Sequence, residues 1–142
     1  MEKIIVSACL LGVPCRYDGK SKPSEEVIAL KEKYELIPVC AEVLGGLSTP
    51  RIGAEIVGDK VIRQDGVDVT YEYHKGASEV LKIALENGCT KAVLKSKSPS
   101  CGKGKIYDGT YTRTLIDGNG ILTDLLLKNN IKVYSETEID KL

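Results

Sequence analysis

Five cysteines, Cys9, Cys15, Cys40, Cys89 and Cys101, carry most of the chemical potential in this chain. An odd number of thiols, widely scattered, makes a poor disulfide framework. A free cysteine often serves as a small buried hydrophobe, and that is the plain alternative for each of them. The chain has one histidine, His74, so a histidine triad or a histidine-rich zinc site has little to build on. Thiolates are soft ligands that suit iron–sulfur clusters or zinc. A structural zinc wants four ligands, usually in close Cys-x-x-Cys pairs, and the sequence has no such pair.

Three of the thiols share one position relative to the predicted elements. Cys9 follows the β-branched run Ile4-Ile5-Val6, Cys40 follows Leu36-Ile37-Pro38-Val39, and Cys101 lies in the loop after Ala92-Val93-Leu94. Pro38 is tolerable only near a strand end or on an edge. Between these strands, Ser24 caps a helix with Glu25 and Glu26 in its first turn and Val27, Leu30 and Tyr34 on one face. Residues 54–57 and 60–63, flanking Gly58-Asp59, predict a hairpin. Thr70 caps the longest helix, which keeps Tyr73, Ala77, Val80, Leu81, Ala84 and Leu85 at helical spacing and ends at Gly88. A loop rich in Ser, Gly and Lys follows the third strand. Asn119 then begins a helix through Ile121, Leu122, Leu125 and Leu126, ahead of a last strand from Ile131 to Tyr134.

Strands alternating with helices predict an α/β fold, a single domain with a mainly parallel sheet flanked by helices (Rossmann-like) and a small inserted hairpin. In an open parallel sheet the loops beyond the carboxyl ends of the strands gather along one edge, where ligands bind. Cys9, Cys40 and Cys101 are therefore expected to converge, in a metal or cluster site or as buried thiols. A cubane cluster held by three cysteines leaves one iron open to substrate, and that iron can serve as a Lewis acid.

Twenty basic residues balance twenty acidic ones, so there is no electrostatic footprint for nucleic acid or an anionic membrane. No apolar run approaches the roughly 18–20 residues that span a bilayer. The N-terminus lacks a signal-peptide plan, which makes the cytoplasm the expected location. The sequence gives no expectation for oligomeric state.

The motifs together are more specific. Ser7-Ala8-Cys9-Leu10-Leu11-Gly12, Cys15-Arg16-Tyr17-Asp18-Gly19, Pro38-Val39-Cys40-Ala41-Glu42 with Gly45-Gly46-Leu47 and Pro50-Arg51, and Lys97-Ser98-Pro99-Ser100-Cys101-Gly102 with Tyr107-Asp108-Gly109 occur in that order. From about residue 4 to residue 135 the chain resembles the domain-of-unknown-function-523 family, whose members include the thiouracil desulfidases. The resemblance implies an α/β fold with a [4Fe–4S] cluster on Cys9, Cys40 and Cys101, one iron being open to substrate. It also implies catalytic roles for Glu42 and Ser98. Ala41 stands where the family usually has Pro, and the family's Phe positions after Gly109 are met only by Tyr111 or left unfilled.

The implied activity is a [4Fe–4S]-dependent desulfidase that removes sulfur without redox change from a small thio compound such as 2-thiouracil. The alternatives are a non-catalytic cluster carrier or redox sensor, and a sulfurtransferase with one thiol as persulfide nucleophile. Cys15 is expected near the cluster but outside the implied ligand set, Cys89 in the core, and His74 on the surface. Arg16, Asp18 and Arg51 either pair to hold loops or meet substrate. Lys95, Lys97, Lys103 and Lys105 either offset a cluster's charge or form a solvated loop. Gly118-Asn119-Gly120 reads as a helix cap with the option of cradling an anion.

Overall fold

The computed structural model describes residues 1–142. Along the chain, strand β1 (Glu2–Ser7) is followed by a 3-10 turn (Ala8–Leu11) and helix α1 (Glu25–Ile28), which tightens into a second 3-10 turn (Ala29–Glu32). Strand β2 (Tyr34–Val39), helix α2 (Ala41–Leu44), the strands β3 (Ala54–Val57) and β4 (Lys60–Arg63), and helix α3 (Thr70–Glu86) come next. Strand β5 (Lys91–Leu94), the short strands β6 (Lys105–Tyr107) and β7 (Leu115–Asp117), helix α4 (Ile121–Lys128) and strand β8 (Lys132–Ser135) complete the order.

Four strands form one sheet in the order β2-β1-β5-β8, every neighbour parallel. Alternation along the central strands explains the layers. Ile5, Ala92 and Leu94 enter a core with Ala77, Val80 and Ala84 of α3 and Leu122 and Leu126 of α4. Ile4, Val6 and Val93 point the other way, onto Val27 of α1 and Leu30. Strands covered on both faces become continuous apolar runs, as Ile4-Ile5-Val6 and Ala92-Val93-Leu94 are. The α/β plan with helices on both faces of a parallel sheet is thus the one expected, and β3–β4 forms the inserted antiparallel hairpin. No helix is long and apolar enough to cross a membrane.

Several local expectations need correction. Tyr34 opens β2 instead of continuing the face of α1, because the helix has already tightened at Ala29–Glu32. Thr70 is the first residue of α3 and not its cap: its hydroxyl accepts the Val61 amide at 2.8 Å, and Asp68 Oδ1 takes the Thr70 amide at 2.8 Å. Asn119 lies outside α4, whose N-cap is Gly120; the Asn119 side chain accepts the Gly104 amide at 2.8 Å instead. At the other end of α3, Gly88 follows Asn87 with φ +66°, which makes it the left-handed residue just past the helix. The Ser-, Gly- and Lys-rich loop contains the hairpin β6–β7, unforeseen because its strands have three residues each and β7 is wholly exposed.

The path of the chain sets up one edge. It leaves β1 for β2, then returns through α3 to place β5 on the other side of β1. That reversal makes a crevice at the carboxyl ends of β1 and β5. Helix α2, at the end of β2, seats itself there by backbone contact with α3. A Cβ on Gly76 would lie 1.8 Å from the Ala41 carbonyl oxygen, and one on Gly45 would lie 2.0 Å from the Glu72 carbonyl oxygen. Replacing Gly by Ala inside a helix normally gains about 1 kcal/mol of helix propensity. Gly76→Ala is expected to reverse that sign, costing about 1–3 kcal/mol in urea unfolding because α2 must shift. Exposed Ser78→Ala, on the same helix, is expected to stay within about 0.5 kcal/mol of the parent.

Candidate functional site

The crevice is a cavity of about 600 Å³ whose wall includes Cys9, Cys15, Cys40, Glu42, Ser98 and Cys101. Cys9 sits in the 3-10 turn that ends β1, and the amides of Lys22 and Ser24 bind the Cys9 and Leu10 carbonyls at 2.9 Å each. Cys40 is the N-cap residue of α2. Cys101 lies in a turn after β5 in which the Gly102 amide binds the Ser98 carbonyl at 2.9 Å. The three strand-end thiols therefore share one cavity. Cys15 joins them, and the Cys40 thiol lies 3.7 Å from its carbonyl oxygen. Cys89 packs in the core between α3 and the sheet, and His74 is exposed.

Glu42 projects from the first turn of α2. Its Oε1 accepts a hydrogen bond from the Tyr73 hydroxyl of α3 and another from Arg51 Nε at 3.4 Å. Burial, and then the Glu42 charge, push the Tyr73 hydroxyl far up, so it remains a donor. Arg51 also donates to the Cys15 carbonyl (3.0 Å), the Ser48 carbonyl (3.0 Å) and the Thr49 hydroxyl (3.1 Å). Its side chain is 7% exposed, and this one planar fork ties α2, the Cys15 loop and the 48–49 turn together. The expected mutual pairing of the motif-loop charges holds for Arg16 with Asp18, at 3.7 Å, while Arg51 turns to Glu42.

The Ser98 hydroxyl accepts the Cys101 amide at 2.7 Å, which caps the turn and leaves its own O–H free to donate. Ser7, buried at the end of β1, accepts the Lys95 amide at 2.9 Å, and its oxygen lies 3.7 Å from Cys101 Sγ. Burial pushes the Cys101 thiol up to about 12, against the pull of the Ser7 hydroxyl. The Cys40 thiol is raised by its contact with Cys15 and by burial. Contact with Cys40 draws the Cys15 thiol down, but Cys9 and burial outweigh it and the net shift is upward.

This donor set fits a cluster. Cys9, Cys15, Cys40 and Cys101 line one cavity, and soft sulfur ligands are those that suit an iron–sulfur group. The Ser100 hydroxyl, next in the chain to Cys101, is buried without a hydrogen-bond partner, a donor available to the thiolate that a bound cluster would leave there. The basic run of the Cys101 loop is largely spent on structure: Lys95 pairs with Glu136 (3.1 Å), Lys103 with Glu138 (3.0 Å), and Lys105 with Asp117.

Sequence reasoning missed three contributors. Ser7 and Ser100 sit within two residues of Cys9 and Cys101, which was the available signal. Tyr73 was read only as a core position on α3, because spacing says nothing of where its hydroxyl ends.

A family model described as 2-thiouracil desulfurase matches residues 4–138 of the chain. An uncharacterized protein of Bacillus subtilis (strain 168), YbbK, is 39% identical over 149 residues, covering 98% of this chain and 99% of that one. A solved structure described as the [4Fe-4S]-dependent thiouracil desulfidase TudS (DUF523Vcz) superposes with a TM-score of 0.95 at 46% identity. The match covers 100% of this chain and 95% of that one.

The bonds of Arg51 predict a stability effect separate from chemistry. Arg51→Met leaves the Glu42 carboxylate and the Cys15 carbonyl short of partners, with an expected loss of about 3 kcal/mol in denaturant unfolding. Arg51→Lys is expected to recover only part of it, since an ammonium cannot reproduce the fork.

Proposed function

Because the chain belongs to the 2-thiouracil desulfurase family, we propose that it is a [4Fe–4S]-dependent desulfidase of small thio compounds. The substrate class is thiopyrimidines such as 2-thiouracil. Water replaces sulfur at the ring carbon, so that thiobase and water become oxo base and hydrogen sulfide with no net electron transfer. Cys9, Cys40 and Cys101 hold the cluster, and Cys15 stands beside it. The observation that carries this reading is the meeting of three thiols, from the ends of β1, β2 and β5, with the Glu42 carboxylate on one cavity.

When bound, the cluster supplies an iron without a protein ligand, a Lewis acid that prefers the thiocarbonyl sulfur of the substrate to the oxygen of the product. The chain's own residues do the rest. Tyr73 and Arg51 both bond to Oε1 of Glu42, which fixes the carboxylate and leaves Oε2 to take a proton from the attacking water. Ser98, anchored by the Cys101 amide, donates its O–H to the reacting group as charge develops. Proton and water thus arrive at the ring carbon from groups fixed on α2 and on the Cys101 turn.

Anaerobic reconstitution is expected to give about four irons and four sulfides per chain. Cys9→Ser, Cys40→Ser and Cys101→Ser each lose most of that content, and Cys89→Ser keeps it. Glu42→Gln and Ser98→Ala are expected to retain the cluster spectrum and lose about a hundredfold in turnover. Turnover is read as loss of thiobase absorbance and release of sulfide, with no reductant added. A loaded protein that turns over no thiopyrimidine, or only with stoichiometric reductant, would falsify the hydrolytic assignment in favour of a cluster carrier or sensor.

A further inference from the structure

Glu55, in β3, is the one charged residue among the buried positions, at 9% exposure. It lies on the wall of the cavity, outside every cysteine motif. A buried carboxylate is unfavourable unless strong hydrogen bonds compensate it. Here Oε1 accepts two backbone amides, Gly109 at 3.0 Å and Tyr111 at 3.1 Å. Both belong to the turn that joins β6 to β7.

That turn is strained, and most of its other hydrogen bonds run within itself, among Asp108, Thr110, Thr112 and Thr114. Tyr111 has φ +60° and Arg113 φ +62°, a region side chains rarely adopt. Thr110, Thr112, Arg113 and Thr114 are exposed, β7 is exposed throughout, and in β6 only Ile106 is buried. The Lys105–Asp117 pair across the hairpin is solvent-exposed and adds little. At its base the hairpin rests on Ile106. At its tip it is fastened to the β3–β4 hairpin by Glu55 and by the Tyr111 hydroxyl, which donates to the Ile62 carbonyl at 2.6 Å. Gly109 comes so close to β3 that a Cβ there would lie 2.8 Å from the Ile56 carbonyl oxygen. Tyr107, Tyr111 and Arg113, all carried by this segment, line the cavity.

We propose that Glu55 is a positioning residue that latches the β6–β7 hairpin across the cavity, and that substrate enters and leaves when this latch opens. The latch sets Tyr107 and Tyr111 against the space where a flat thiolated ring must lie. This assignment rests on the desulfidase reading for its kinetic part alone.

Three variants test it: Glu55→Ala, which removes the acceptor; Glu55→Gln, whose amide oxygen can accept both amides; and Tyr111→Phe, which loosens the second fastening. Limited trypsin digestion of the cluster-loaded protein reads opening at the exposed Arg113–Thr114 bond. Cleavage after Lys82, in the middle of α3, reads general unfolding. Glu55→Ala is expected to speed the Arg113 cut about tenfold, as loss of a charge-assisted hydrogen bond would, with the Lys82 cut and the iron content unchanged. Its KM for a thiopyrimidine is expected to rise about tenfold while kcat stays within about threefold. Tyr111→Phe shifts the same readouts in the same direction by less, and Glu55→Gln restores both toward the parent values. Equal acceleration at Arg113 and Lys82, or no change at Arg113, overturns the latch. If the parent protein turns over no thiopyrimidine, the functional assignment fails and the digestion pattern alone decides the latch.

Discussion

Helix α2 touches α3 backbone to backbone, with the Ala41 carbonyl against the bare Cα of Gly76 and Gly45 against the Glu72 carbonyl. Most of the site's dimensions descend from that contact. It seats the helix that Cys40 caps against α3, and it brings Glu42 within reach of the Tyr73 hydroxyl. Helix α3 is in turn clamped to the sheet by Ala77, Val80 and Ala84. A second close approach serves the other side of the crevice. A Cβ on Gly120, at the start of α4, would lie 2.4 Å from the Ser100 carbonyl oxygen, so the Cys101 turn rests directly on that helix end. Small residues thus let two helices press the thiol-bearing loops inward without side chains between them.

Polar bonds then fix what packing has brought near. Arg51 gathers α2, the Cys15 loop and the 48–49 turn with one guanidinium, and Ser7 spans from the end of β1 to the Cys101 loop. These groups hold the cavity wall in shape while the raised thiols of Cys40 and Cys101 remain protonated. A metal group held by those sulfurs would have to displace their protons, which would couple its uptake to proton release.

The sheet and the gathering of three thiols were legible because both follow from a simple rule. Ile4-Ile5-Val6 and Ala92-Val93-Leu94 can be strands only if both faces are covered, and covered parallel strands place their following loops together. The cysteine motifs made the family readable as well. What could not be read depends on contacts between distant segments. The four residues of α2 have too little periodicity to announce a helix that exists because α3 offers it a glycine. The strands β6 and β7 have no apolar alternation, since their tip is fastened by a carboxylate fifty-four residues earlier, Glu55 to Gly109. Tyr73 looks like any core aromatic until its hydroxyl is seen to end at Glu42.

The order of strands in the sheet also governs when the site can come into being during synthesis. Cys9 and Cys40 reach their places with β1 and β2, a pair that can form early and locally in the nascent chain. Cys101 needs β5 inserted beside β1, then α4 beneath its turn, then Lys95 and Lys103 anchored by Glu136 and Glu138 from beyond β8. Cys101 is therefore secured by carboxylates that are synthesised after it, Glu136 and Glu138. Until those residues have been added, a growing chain holds only two of its three strand-end thiols in place.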